Sequence, residues 1–190
     1  MKRFVPYLVL LLLACETTID IDPDTGFEIF TIGAGQHSSI NKNEVFSGDG
    51  IEFKVIFDES AEYITQDDNN QGDINKLLGF SQCGEHHQSE SARIGWRWYE
   101  DKLQLLAYVY TNSDRKYELL GAIPINQEVN VRIEIEAERY RFSGDGFSET
   151  FIQRSGTRCS SGDNNWLWPY FGGDESAPHD ILIKIERVAL

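Results

Sequence analysis

The chain has 190 residues, of which 17 are basic and 31 acidic, and its formal net charge at pH 7 is −14. So acidic a surface repels nucleic acid and anionic lipid headgroups, and we therefore expect neither as a partner. The length is that of a single domain, and no apolar stretch of the sequence is long enough for a transmembrane helix.

The N-terminus has the pattern of a bacterial export signal. Lys2 and Arg3 precede an apolar run over 4–13, which is too short to span a bilayer. The run ends in Leu12-Leu13-Ala14-Cys15, which resembles the lipobox of bacterial lipoproteins; a plain cleaved signal with an incidental cysteine is the alternative. The resemblance implies loss of residues 1–14, lipidation of Cys15 and anchoring through acyl chains. Residue 16 is Glu rather than Asp, which favours the outer membrane within the cell envelope.

Residues 15–26 are polar and acidic, and Pro23 and Gly26 interrupt regular structure. This pattern predicts a lipidated tether ahead of a β-domain over 27–190. If Cys15 carries lipid, Cys83 and Cys159 remain as a pair in a compartment that permits disulfides. Two buried free thiols are the alternative.

From residue 27 onward, apolar residues recur at every second position. Runs over 51–58, 131–138 and 181–186 each predict a strand with one buried and one wetter face. Only 73–78 has the pattern of a helical turn. Together these patterns predict about eleven short strands in an antiparallel sandwich or barrel. The further strands are predicted at 27–32, 77–82, 92–99, 103–110, 116–123, 139–143, 147–152 and 166–171.

The runs over 92–111, 129–142 and 167–188 resemble the concanavalin A-like, laminin-G-like jelly roll. The resemblance implies an all-β, antiparallel β-sandwich of jelly-roll type. Lectins, carbohydrate-binding modules, glycoside hydrolases and polysaccharide lyases share that fold, so a glycan is the implied partner. Many domains of this class hold a structural calcium through an Asp at the start of the last strand, and Asp180 is at the matching place; a plain polar strand start is the alternative.

Two enzyme hypotheses follow from particular residues. Glu134, Glu136 and Glu138 resemble the acidic strand of jelly-roll glycoside hydrolases, although an ordinary solvated strand face explains them better. A polysaccharide lyase needs a cation to neutralise a uronate, a base and an acid. The residues that supply these groups are His87, Arg93, Tyr108 and Tyr110.

The favoured hypothesis is a domain that binds carbohydrate without cleaving it; a lyase and a protein-interaction module are the alternatives. Sugars bind aromatic faces, with polar groups taking their hydroxyls. Because side chains alternate along a strand, Trp96 and Trp98 are predicted in the core. The opposite, open face is predicted to bind the glycan through Arg93, Arg97, Tyr99, Tyr108 and Tyr110.

Overall fold

The computed structural model describes residues 19–40, 42–155 and 163–188. The predicted signal peptide, the predicted lipidation site Cys15 and the cysteine Cys159 lie outside the described residues. Within the described part of the chain, no helix is long and apolar enough to cross a membrane.

The described chain forms two antiparallel sheets, which confirms the predicted sandwich. One sheet has the order β1-β2-β13-β4-β9-β10-β11 and the other the order β3-β12-β5-β6-β7-β8. The strands are, in chain order, β1 (Asp20–Ile21), β2 (Glu28–Ile32), β3 (Val45–Ser47), β4 (Gly50–Phe57), β5 (Asn75–Gln82), β6 (Ser91–Tyr99), β7 (Lys102–Thr111), β8 (Asp114–Ile123), β9 (Val129–Ile135), β10 (Arg139–Gly144), β11 (Thr150–Gln153), β12 (Asp163–Leu167) and β13 (Ile181–Val188).

The hydrophobic core lies between the two sheets and takes every second residue of the central strands. Trp96 is completely buried, and its ring centroid lies 5.1 Å from that of Phe57 on the facing sheet. Trp98 packs half-buried against the same core. The alternation therefore places both tryptophans on the inner face of β6, as predicted, and leaves Arg93 and Arg97 on the outer face.

Strands β6, β7 and β8 form a meander whose tight turns set its register. Glu100 and Asp101 have φ of 54° and 55°, and Asn112 and Ser113 have φ of 51° and 65°. Positive φ at both central residues is typical of the type I′ turn, whose twist matches that of paired strands. The turns place Arg93 opposite Tyr108, and Tyr108 opposite Tyr117. These side chains consequently share one face of the sheet.

Three features of the fold differ from the sequence-based expectations. The turn predicted at 73–78 is wrong, because β5 begins at Asn75; the two short 3-10 turns lie at Glu59–Ala61 and Asp68–Asn70. The strand predicted at 166–171 ends at Leu167, shortly before Pro169, which has no N–H to donate to a sheet. Edge strands β1 and β3 were not predicted.

The acidic stretch before residue 27 is partly folded. Asp20 and Ile21 pair with β2, so regular structure begins earlier than the expected boundary at residue 27. Asp22 accepts hydrogen bonds from the N–H groups of Asp24 and Thr25, and Lys184 Nζ of β13 lies 2.6 Å from its Oδ2. The hydrogen bond from Lys184, followed by that from the Asp24 N–H, lowers the pKa of Asp22 to about 2.

We expect Asp22→Ala to loosen β1 while leaving the sandwich folded. Because the folded-state pKa of Asp22 is depressed, its contribution is present above the ordinary value of 3.8 and is lost as the pH falls through about 2. Hydrogen–deuterium exchange at neutral pH should be faster over 20–29 in the variant. Asp24→Ala is the matched control and should leave exchange unchanged, because Asp24 contacts Asp22 through its backbone N–H. Unchanged exchange in Asp22→Ala would contradict this account.

Candidate functional site

A cleft of about 580 Å³ lies on the outer face of the β5–β8 sheet. Strands β6, β7 and β8 supply its floor, and the segment after β12 forms one wall. The carbohydrate and lyase hypotheses together name six residues, of which the cleft brings together four. His87, Arg93, Tyr108 and Tyr110 line it, whereas Arg97 and Tyr99 do not. The other lining side chains that carry aromatic rings or charge are Lys42, Lys76, Arg115, Trp166, Trp168, Tyr170 and Asp174.

Arg93 is the most buried cation of the cleft, with only 8% of its surface exposed. Its Nη2 donates to the carbonyl oxygens of Leu77 and Trp168, and its Nε has no partner among the described residues. Gly79 lies opposite Arg93, where a Cβ would come within 2.5 Å of Arg93 Cγ. A glycine is therefore required there for the arginine side chain to cross β5. Burial lowers the pKa of Arg93, yet a guanidinium stays charged at neutral pH.

Lys76 lies beside Arg93 at the start of β5. Its ammonium is 5.3 Å from the ring centroid of Tyr108 and 5.9 Å from that of Tyr170, distances at which cation–π attraction operates. Burial, followed by repulsion from Arg93, lowers the pKa of Lys76 to about 8. The ammonium is therefore charged at neutral pH, but it loses its proton at a lower pH than the ammonium of an exposed lysine does.

Tyr108 and Tyr110 project side by side from β7, with ring centroids 5.8 Å apart. Burial, followed by the hydrogen bond to Tyr110, raises the pKa of Tyr108 to about 12, so its phenol stays protonated. Arg115 lies directly opposite Tyr110 on β8, and its interaction with the neighbouring Tyr108 phenol raises the pKa of Arg115. Tyr108, Tyr110 and Arg115 thus place two phenol groups and a cation in one part of the cleft.

His87 reaches the cleft from the loop between β5 and β6. Burial lowers the pKa of His87, and the neighbouring His86, Arg93 and Lys76 lower it further. Its imidazole is consequently neutral at neutral pH and can accept a proton. His86, whose ring centroid lies 4.2 Å from that of His87, does not line the cleft.

The segment after β12 is tied to β5 by backbone hydrogen bonds. Tyr170 N donates to Lys76 O, Lys76 N donates to Tyr170 O, and buried Asn75 accepts from Gly172 N. His37 stacks on Tyr170 at 5.4 Å. The bend after Leu167 therefore places the half-exposed ring of Tyr170 at the mouth of the cleft. A strand that continued over 168–171 would not place the Tyr170 ring there.

Arg97 and Tyr99 share the outer face but do not line this cleft. Arg97 lines a smaller depression of about 110 Å³ that shares Lys76, Tyr108 and Arg115 with the cleft. Its guanidinium donates to Gln104 Oε1 and Gly72 O. Tyr99 stacks against Arg97 at 4.6 Å and lines neither cavity. The structure thus brings together three of the five predicted binding residues.

The sequence pattern does not predict Lys76 and Arg115 as site residues. Lys76 falls within the helical turn predicted at 73–78, and Arg115 falls just before the strand predicted at 116–123. The Asn112-Ser113 turn was the available signal for Arg115. A two-residue turn at that position fixes Arg115 opposite Tyr110.

The acidic strand lies on the other sheet, away from the cleft. Glu134 pairs with Arg132 and Arg141, and Glu136 pairs with Arg139 and Arg141. These contacts fit the ordinary strand face favoured from the sequence. Cys83 is disulfide-bonded; its predicted pairing with Cys159 stays a prediction.

Asp180 lies just before β13, where the resemblance implies calcium. Its Oδ1 accepts the N–H of Ala34, 2.8 Å away. No group of three or more acidic, histidine or cysteine side chains suited to a metal occurs among the residues that the structure describes. A calcium here would depend on one carboxylate and backbone carbonyls. The described side chains do not define a metal site by themselves, and calcium at Asp180 stays a prediction.

Comparison with solved structures defines the fold. The alginate lyase AlyC3 superposes with a TM-score of 0.62 at 12% identity, covering 90% of this chain and 77% of that one. A Bacteroides ovatus family 16 glycoside hydrolase from a mixed-linkage glucan locus gives a TM-score of 0.57 at 10% identity, with coverages of 90% and 84%. An endo-1,3-β-glucanase from Thermotoga petrophila gives 0.57 at 9% identity, with coverages of 86% and 76%. No protein-family model and no curated protein matches the chain.

These similarities establish an antiparallel β-sandwich of the concanavalin A-like jelly-roll type. The sequence identities are too low for the similarity to show more than the fold. Function therefore has to be argued from the cleft of this chain.

Proposed function

We propose that the cleft binds carbohydrate, without cleaving it, on a lipoprotein of the cell envelope. The observation that carries the proposal is the arrangement of Tyr108 and Tyr110 beside Arg93 in one concave site. Aromatic rings stack on the apolar faces of sugars, and charged or hydroxyl groups bind the sugar hydroxyls. The similar structures support the proposal, since they include enzymes that act on glycans, among them AlyC3 with bound dimannuronate.

We expect Tyr108→Ala and Tyr110→Ala to weaken glycan binding at least about tenfold, because truncating a central aromatic contact costs on the order of 2 kcal/mol. Binding of residues 19–190 to an array of neutral and acidic glycans identifies the ligand, and titration calorimetry then gives the affinities. Running the array with calcium and with a chelator also tests Asp180. Phe151→Ala is the control, since Phe151 is an exposed aromatic on the other sheet. An array without any binding would contradict the proposal.

A polysaccharide lyase is the second candidate, because the cleft brings His87 together with Arg93, Tyr108 and Tyr110. In β-elimination a base removes the proton at C5 of a uronate and an acid protonates the departing glycosidic oxygen at C4. The C4–O bond breaks and a C4–C5 double bond forms. Neutral His87 fits the base, protonated Tyr108 fits the acid, and Arg93 fits the cation that neutralises the carboxylate.

The two candidates differ in turnover. If the protein is a lyase, incubation with uronate polymers produces the ultraviolet absorbance of an unsaturated uronate. Its rate rises with pH through the lowered pKa of His87, and His87→Ala abolishes the rate while binding persists. The non-cleaving proposal predicts no such absorbance, together with unchanged binding by His87→Ala.

The lipid anchor is proposed from Cys15 and is tested independently of the cleft. In a bacterial host, the wild-type chain should fractionate with membranes and carry acyl chains on Cys15, because two or three chains give stable anchoring. Cys15→Ser should release the protein from the membrane fraction. Cys83→Ser is the matched control and should stay with membranes. Recovery of the wild-type chain without acyl groups would contradict the anchor.

A further inference from the structure

Three cations of the cleft have no carboxylate partner. Lys42 at its rim pairs with Glu44, but Lys76, Arg93 and Arg115 form no ion pair with any carboxylate among the described residues. Acidic side chains are not scarce in this chain, which has 31 acidic and 17 basic residues. Asp174 is the one acidic side chain among the described residues that line the cleft.

The burial of Lys76 and Arg93 makes their isolation costly. Moving a charge out of water costs free energy unless an opposite charge or enough hydrogen bonds compensate it. Arg93 is almost fully buried with two backbone carbonyls as acceptors, and desolvation lowers the pKa of Lys76. A bound anion would supply the missing compensation for both groups.

Resting on the proposed carbohydrate-binding function, we propose that the ligand is an acidic glycan, whose anionic groups are bound by Lys76, Arg93 and Arg115. Carboxylates of uronic acids and sulfate esters share the required chemistry. Guanidinium groups bind either anion through paired hydrogen bonds, and an ammonium binds it as a point charge.

The shape of the site fits a chain of sugars. The cleft and the adjoining depression share Lys76, Tyr108 and Arg115, so the two cavities lie side by side on the sheet, and together they are called the groove. The depression is also lined by Tyr117, which is 52% exposed. Both parts of the groove thus have aromatic and cationic side chains, and each has one aspartate, Asp174 in the cleft and Asp73 in the depression.

The acidic surface of the protein is compatible with such a ligand. At physiological ionic strength, charges separated by more than about 8 Å are largely screened in water. The binding of a narrow chain in the groove therefore depends mainly on the cations that it contacts. An extended anionic surface is instead repelled by the whole acidic exterior of the protein. This difference separates an acidic glycan from a lipid bilayer or a nucleic acid duplex.

The ionisation of Lys76 predicts a pH dependence of binding. Affinity for an acidic glycan should fall as the pH rises through about 8, where the free ammonium loses its proton. Binding of the anion itself raises the pKa of Lys76, so the decline in affinity begins near 8 and continues above it. The titratable and charged groups that face Lys76 are Asp73, His87, Arg93, Tyr108, Arg115 and Tyr170.

The test compares oligosaccharides of equal length that carry carboxylates, sulfates or no charge, by titration calorimetry on the full chain without lipid. We expect the wild type to prefer one acidic series, with Lys76→Met and Arg115→Met each lowering that affinity about tenfold to a hundredfold. Lys116→Met is the matched control, because Lys116 alternates with Arg115 along β8 and does not line the groove. Circular dichroism verifies the fold of each variant.

The outcomes separate the two proposals. Selective binding of a neutral glycan, unaffected by Lys76→Met and Arg115→Met, overturns the acidic ligand while the carbohydrate-binding function stands. Equal effects of Lys116→Met and Arg115→Met also overturn it, since a general loss of charge would then explain the result. Absence of binding to every glycan overturns both proposals. A preference for the sulfated or the carboxylated series identifies which acidic group the site recognises.

Discussion

The organisation of the cleft depends on the burial of Arg93, whose guanidinium donates to the backbone carbonyls of Leu77 and Trp168. These two contacts connect β6 with β5 and with the segment after β12. Position 79 on β5 has to be glycine, because a Cβ there would collide with the backbone oxygen of Ala92 and with the Arg93 side chain. A cation held by carbonyls keeps its full charge, whereas a carboxylate partner would have neutralised it. The positive charge of Arg93 in the cleft is thus a consequence of the hydrogen bonds that connect β6 with β5 and with the segment after β12.

The two sheets use charge in opposite ways. On the outer face of the sheet that contains β9 and β10, Arg132 and Arg141 pair with Glu134, so the charges on that face balance each other. On the outer face of the β5–β8 sheet, Lys76 and Arg93 remain without acidic partners among the described residues. Exposed ion pairs contribute little to stability, so the first face has an ordinary explanation. The second face is explained by a ligand that carries the opposite charge.

Much of the fold could be predicted because period-two patterning reports burial directly. It located the central strands, placed Trp96 inside and Arg93 outside, and so identified part of the cleft. The pattern could not place Tyr170 or Lys76 in the cleft. Their positions depend on the bend after Leu167 and on the backbone bridge between the two residues, which is a tertiary contact. It also could not show that Arg97 is engaged by Gln104 and Gly72. Alternation assigns a side chain to a face of the sheet but does not identify its partners.

The central claim is that an acidic glycan binds in the groove through Lys76, Arg93 and Arg115. Nuclear magnetic resonance with the protein labelled at nitrogen tests it most directly, by titration with an oligosaccharide of the series that binds. The account predicts shifts of the Arg93 Nε–H signal and of the backbone amides of Lys76, Tyr108 and Arg115, with the amides of β9 and β10 unchanged. Shifts confined to the outer face around Glu134, with Arg93 unaffected, would contradict it.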